Sequence, residues 1–271
     1  MGYFEKALLA AALIGALCGL VGVLVVLRRR VFFAQALTHA TFPGAVAAAL
    51  LGWNIPLGAA LASVVIVGIM ALITRVRRQG GQVAAGIVLT AGFAIGALMQ
   101  AASPDVPVHL ESFLVGSILS VSTSDIVLTS SVLVVALVVL AAMGKQILFQ
   151  TFDRSGFAAA GFRTLPFDVV VLVLITATVV TAMPAAGAIL AIALIAAPAA
   201  AARLLAPTVG SMFVVAPIIG AASGLLGVLL SRSLDVAAGP AIALLAAGFF
   251  MAALLVRRMP RLALRDEGAR V

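Results

Sequence analysis

The chain has 271 residues, of which 64% are hydrophobic and only 10% charged, and it carries a formal net charge of +8. A water-soluble domain is about a quarter charged, and no core of this size hides so much apolar side chain beneath so thin a charged shell, so composition excludes a soluble globular protein. The single cysteine, Cys18, excludes a disulfide scaffold and the wealth of Leu, Val, Ile and Ala excludes disorder, which leaves an all-α, polytopic membrane helical bundle.

The first apolar run, 7–27, has the length of a spanning helix and lacks a basic leader and a cleavage site, so it reads as a retained helix and not as a signal peptide. Further runs follow at about 35–52, 56–74, 83–102, 125–144, 167–183, 187–202, 209–230 and 239–256, giving nine expected crossing segments in one transmembrane domain over 1–271. The basic residues punctuate these runs at 28–30, 75–78, 145–163, 203 and 257–270 instead of forming a continuous face, so no nucleic-acid partner is expected. With nine crossings and the N-terminus outside, every basic residue but Lys6 and Arg232 falls in the cytoplasm, as the positive-inside rule requires. The same parity makes 167–202 cross twice, with an external break at Pro184 to Gly187. It also places Glu5, Asp105, Glu111, Asp125 and Asp235 at the outer side, a net negative face that concentrates cations.

Three regions depart from simple spans. Residues 28–38, RRRVFFAQALT, read as an interfacial element at the cytoplasmic surface, and 103–124 as a short re-entrant or interfacial helix. Residues 145–166 form the largest cytoplasmic loop, whose stretch QTFDRSGFAAAGF is amphipathic, with Phe149, Phe152 and Phe157 available to dock on a cytosolic partner. Glycines at 15, 19 and 22, at 92 and 96, and at 220, 224 and 227 mark helix surfaces that approach closely. There is no GxxxxGK[ST] loop and no HExxH, so the chain offers no recognised device for hydrolysing nucleotide or peptide.

Few polar residues are candidates for chemistry. His39, four residues after Gln35 and four before Pro43, is either a packing or hydrogen-bonding histidine or a nitrogen donor for Zn²⁺, Mn²⁺ or Fe²⁺. His109 lies between Asp105 and Glu111, a set that either contacts an arriving cation transiently or is a solvated loop. Asp235 precedes the last span as a cap, a responder to substrate release or a solvated acid, and Asp125 caps the fifth span after Ser122, Thr123 and Ser124.

The stretches LVVLRRRVFFAQALTHATFPG (24–44), AAGIVLTAGFAIGAL (84–98), FLVGSILSVSTSD (113–125), AAGAILAIALIAAPAAAARLL (185–205) and DVAAGPAIALL (235–245), in that order and spacing, resemble the permeases of the zinc, manganese and iron ABC-transporter family. The resemblance implies a homodimeric, multi-pass permease of the bacterial inner membrane, with its C-terminus cytoplasmic. It implies two cytoplasmic ATPase subunits that bind the ATP, an extracytoplasmic metal-binding protein and no tightly bound cofactor. Its coupling region corresponds to 149–161, with Phe149, Phe152, Asp153, Arg154, Phe157 and Gly161, and its metal pathway to His39, Gln35 and Asp235. The family commonly carries an aspartate where this chain has Gln35 and an acid near Gln79 to Gln82. The imidazole favours zinc as the cargo, with manganese second and iron or a metal chelate as alternatives. A proton- or sodium-coupled carrier is the rival, for which the chain shows few buried acids and no convincing inverted repeats.

Overall fold

A computed structural model describes residues 2–75, 81–103 and 116–268. These residues are almost wholly helical: α1 (Tyr3–Leu27), α2 (Val31–Ala40), α3 (Phe42–Leu50), α4 (Ile55–Arg75), α5 (Gly81–Ala102), a 3₁₀ turn (Ile118–Ser120), α6 (Thr123–Phe152), α7 (Arg154–Ala159), α8 (Thr164–Leu205), α9 (Val209–Leu234) and α10 (Ala238–Gly268). The protein is a polytopic all-α membrane bundle.

Among the described residues, six helices, and not the nine expected, are long and apolar enough to cross a bilayer: α1, α5, α6, α8, α9 and the first twenty residues of α10. The count differs at three places. The expected 35–52 segment is two short helices, α2 and α3, that meet at Thr41. Pro43, in the first turn of α3, has no N–H for the carbonyl of His39. The described apolar part of α4, Ile55–Met70, is shorter than a full span.

The third place is α8, where two expected segments merge into 42 residues interrupted only at Gly187 (φ 73°, ψ 166°). Drawn straight, such a helix would be about 63 Å long. Instead Asp168, near its start, binds Arg28 at 2.7 Å, while Ala199 and Ala202, near its end, pack with Val23, Val26 and Leu27. Both ends therefore lie beside the C-terminal end of α1, and α8 folds back at Gly187, where a left-handed φ costs glycine little. Gly116 (φ 67°) lies directly against the Ala186–Gly187 peptide, leaving no space for a side chain at position 116.

The centre of the bundle is α1, apolar on all sides and buried along most of its length. Between membrane helices the hydrophobic effect offers little, so close contact carries the packing. A Cβ on Gly15 would strike the backbone of Gly220, one on Gly19 that of Ala216, one on Gly22 that of Ile195, and one on Gly224 that of Ala11. These glycines seat α1 directly on α9 and on the second arm of α8. Gly92 and Gly96 do the same for α5 against Ala40 and Phe42.

Residues 28–38 pack into the bundle. The chain leaves α1 through Arg29 (φ 55°), with the Arg30 N–H bound to the Val25 carbonyl at 2.8 Å, and turns at once into α2, whose Ala34, Ala36, Leu37 and Thr38 are fully buried. Of the expected helix at 103–124, residues 104–115 lie outside the described set; the remainder tucks Ile118 into the core against α1 and α8. Ser122 is the cap of α6, and Asp125 completes a capping box with it. The Ser122 N–H donates to Asp125 Oδ2 at 3.0 Å, and the Asp125 N–H returns to Ser122 Oγ at 3.2 Å.

The glycine seam sets a test. Gly15→Ala should destabilise the purified protein by about 1–3 kcal/mol through overpacking, lowering its thermal unfolding midpoint in detergent. Gly68→Ala, where an added Cβ meets open space, should leave the midpoint unchanged. Equal midpoints for the two variants would rule out the seam as a close-packed element.

Candidate cation pathway and coupling face

Only α2 brings two predicted pathway residues together. Gln35 and His39 lie four residues apart on one helical stripe and are both half-buried, while Ala34, Ala36, Leu37, Thr38 and Ala40 face the core. The His39 ring meets Phe93 of α5 edge-on, with centroids 5.9 Å apart. Behind the stripe, the Thr38 hydroxyl donates to the Gln35 carbonyl at 2.7 Å, and the Thr41 hydroxyl reaches the Thr38 carbonyl at 3.0 Å and Met183 Sδ at 3.2 Å. The threonine hydroxyls are thereby occupied locally, so the helix presents one amide and one imidazole outward.

Asp235 is elsewhere. It is the exposed left-handed cap of α9 (φ 52°), and α2 packs on α4, α5 and α8 instead of on α9. Asp105, His109 and Glu111 lie outside the described residues. Among the described residues there is no group of three or more His, Cys, Asp or Glu able to hold a metal ion.

The second cluster closes the end of the bundle at which α1 finishes and α2 begins. α6 runs to Phe152, and Asp153 then caps the short α7 by accepting from the Gly156 N–H at 2.8 Å and the Ser155 hydroxyl at 2.9 Å. Those hydrogen bonds favour the carboxylate and hold the Asp153 carboxyl below its usual value. Gly161 (φ 85°) ends the loop in a conformation suited to glycine.

Phe157 overturns the expectation that it faces a partner. It is fully buried, stacked on Phe162 at 4.9 Å and edge-on to Phe149 at 5.4 Å and Phe167 at 5.2 Å. It anchors α7 to its own chain. Phe152 (64% exposed), Phe162 (48%) and Phe149 (42%) are the rings of this segment that remain at the surface.

Sequence reasoning missed the group that ties this face together. Arg28 Nη1 donates to Asp168 Oδ1 at 2.7 Å, Nη2 to Gln150 Oε1 at 2.8 Å and Nε to Thr151 Oγ1 at 3.1 Å. Arg154 Nη2 reaches the other oxygen of Asp168 at 2.9 Å, and Gln150 Nε2 donates to the Thr164 carbonyl at 2.8 Å. Burial pulls the Arg28 guanidinium below its ordinary pKa and the Asp168 partner opposes that shift. The available signal was an acid, Asp168, alone at the head of an apolar run; its partner lies 140 positions away.

The match to known proteins is extensive, running over residues 1–257. The chain belongs to the ABC 3 transport family. The permease is 30% identical over 248 residues to the manganese transport system membrane protein MntC of Halalkalibacterium halodurans, covering 92% of this chain and 85% of that protein. It is 30% identical over 251 residues to the chelated iron transport system membrane protein YfeC of Yersinia pestis, with 93% and 85% covered. PsaBC from Streptococcus pneumoniae, solved in complex with Fab, matches its fold with a TM-score of 0.85 at 30% identity, covering 93% of this chain and 91% of that one. The family is one of transport permeases, so this chain is not a catalytic ATPase.

Two measurements check this face. Asp168→Ala strands a buried guanidinium and should cost about 3–5 kcal/mol of unfolding free energy, whereas Arg154→Ala removes an exposed partner and should cost about 1 kcal/mol or less; equal losses would contradict the assignment of Arg28 as the dependent group. Because the Asp153 carboxyl is depressed in the folded protein, its cap is present above the unfolded carboxylate range and is lost as pH falls through the folded value. Proteolysis within 153–162 should therefore rise on acidification, and Asp153→Asn should flatten that pH dependence.

Proposed function

We propose that this permease carries a divalent transition metal into the cytoplasm, Mn²⁺ first and Fe²⁺ second, as one half of a homodimer driven by two ATPase subunits and fed by an extracytoplasmic metal-binding protein. The observation that carries the reading is the half-exposed Gln35–His39 stripe on α2. A single chain leaves this oxygen and nitrogen pair open on one side, and a second copy facing it would complete a path with paired donors. The zinc preference drawn from the imidazole alone is replaced. The relatives described above are named for manganese and iron, and a mixed amide-oxygen and imidazole pair suits Mn²⁺ or Fe²⁺ better than a thiolate- or imidazole-rich zinc site.

Charge supports the orientation. The end carrying Arg28, Arg154, Arg163 and Arg203 is assigned to the cytoplasm of a bacterial inner membrane. The opposite end, where Lys6 Nζ donates to Thr123 Oγ1 at 3.0 Å and Arg232 lies 4.5 Å over Phe4, is assigned outside. The coupling region is 149–161, with Phe152 and Phe149 seated in the ATPase and Phe157 holding α7 to the permease. Movement of α7 is passed through Arg154 and Asp168 to Arg28, and α2 begins three residues later, so the drive reaches the helix that bears Gln35 and His39.

Uptake by vesicles containing the complete transporter tests the cargo and the stripe together. Mn²⁺ should be accumulated in preference to Zn²⁺, and His39→Ala should lower the initial rate about tenfold, or about 1.4 kcal/mol, at matched protein levels. Equal rates for wild type and His39→Ala would remove His39 from the pathway. For orientation, a membrane-impermeant thiol reagent should label a cysteine placed at 161 only from the cytoplasmic side and one placed at 235 only from outside; the reverse pattern would invert the topology.

A further inference from the structure

Beside the coupling face lies a cavity of about 600 Å³, lined by Arg29, Arg30 and Arg154 at its basic side and by Phe32, Met70 and Leu172 at its apolar side. Asp168 also lines it but is already bound by Arg28 and Arg154. Arg29 and Arg30 have no carboxylate partner among the described residues, and Arg30 lies 5.9 Å from the Phe33 ring centroid. A site so charged repels a divalent cation, so it is not a station for the cargo.

A second groove, of about 530 Å³ and almost wholly apolar, runs between α4, α6 and the first arm of α8, past Leu57, Val64, Leu128, Val132 and Val173. The two spaces share Val67 and Leu172 in their walls, so the basic cavity and the apolar groove adjoin. From Val67 to Pro56 the α4 wall is about 17 Å long, close to half of a hydrocarbon core about 30 Å thick. A free phosphate would use only the basic end, and a soluble peptide would have no reason to follow the groove into the membrane. Both parts fit one molecule with an anionic head and an acyl chain.

We propose that these adjoining spaces act as one site for an anionic phospholipid, its phosphate at Arg29 and Arg30 and one acyl chain between α4, α6 and α8. The lipid fills the gap between α4 and the first arm of α8 next to the Arg154–Asp168 contact, which makes it a structural component of the coupling face. This proposal goes beyond the transport reading and does not depend on which metal is carried.

The test is lipid binding to the delipidated complete transporter, with dioleoyl phosphatidylglycerol, dioleoyl phosphatidylcholine and glycerol phosphate as probes and native mass spectrometry as readout. Wild type should bind phosphatidylglycerol about tenfold more tightly than phosphatidylcholine, and glycerol phosphate should not compete. The Arg29→Gln/Arg30→Gln double variant should lose the preference, and the Arg29→Lys/Arg30→Lys double variant, which keeps both charges, should retain most of it. Val173→Trp, which fills the groove from an exposed position, should weaken both lipids while the complex stays assembled. Equal affinity for the two lipids, a preference that survives the Gln/Gln variant, or full competition by glycerol phosphate would each overturn the proposal. So would efficient disulfide formation between cysteines placed at 64 in two copies, which would assign the groove to the second protomer.

Discussion

A buried arginine at the end of α1 constrains everything around it. Taking a guanidinium out of water costs several kcal/mol unless its donors and its charge are met, and Arg28 is met at once by Asp168 of α8 and by Gln150 and Thr151 of α6. The ends of three helices cannot separate without stranding that charge. A buried ion pair of this kind adds little net stability over a well-packed apolar pair; what it supplies is register, because only one relative placement of α1, α6 and α8 satisfies it.

The remaining architecture follows from that fixed end. Since Asp168 must stand beside Arg28 and the far end of α8 packs on Val23 and Leu27, the helix has to reverse, and Gly187 with its left-handed φ is where it does. The returning arm then lies along α1, close enough that Gly22 touches the Ile195 backbone, while Gly15 and Gly19 admit α9 on another side. Two residues separate Arg28 from α2, so the helix carrying Gln35 and His39 starts from the same anchored point. The Gln35–His39 stripe and the 153–162 loop are thus joined to one ion pair, although they lie on different elements.

Much of this was legible in the sequence because it depends on local rules. Composition specified an all-α membrane bundle, the Pro184 to Gly187 break located the reversal, and Ser122 with Asp125 announced a helix start that the hydrogen bonds bear out. The nine-segment count failed where backbone geometry is non-local. Pro43 splits an apolar run that composition treats as continuous, and the described apolar part of α4 falls short of a full span. Phe157 was misjudged because amphipathic spacing says that a ring is on a face, not which neighbours claim that face; here Phe149, Phe162 and Phe167 do. Arg28 and Asp168 were invisible as a pair, since topology counting treats each charge as a marker of side and carries no information on contacts between distant segments.

The central claim is that movement at α7 reaches α2 through Asp168. The most direct measurement is the number of Mn²⁺ ions accumulated per ATP hydrolysed by the complete transporter in vesicles, comparing wild type, Asp168→Glu and Asp168→Asn at equal ATPase association. Asp168→Asn, which keeps the shape but loses the charge that binds Arg28 and Arg154, should hydrolyse ATP with a ratio of transport to hydrolysis reduced about tenfold, while Asp168→Glu keeps most of it. An unchanged ratio in Asp168→Asn would contradict the account.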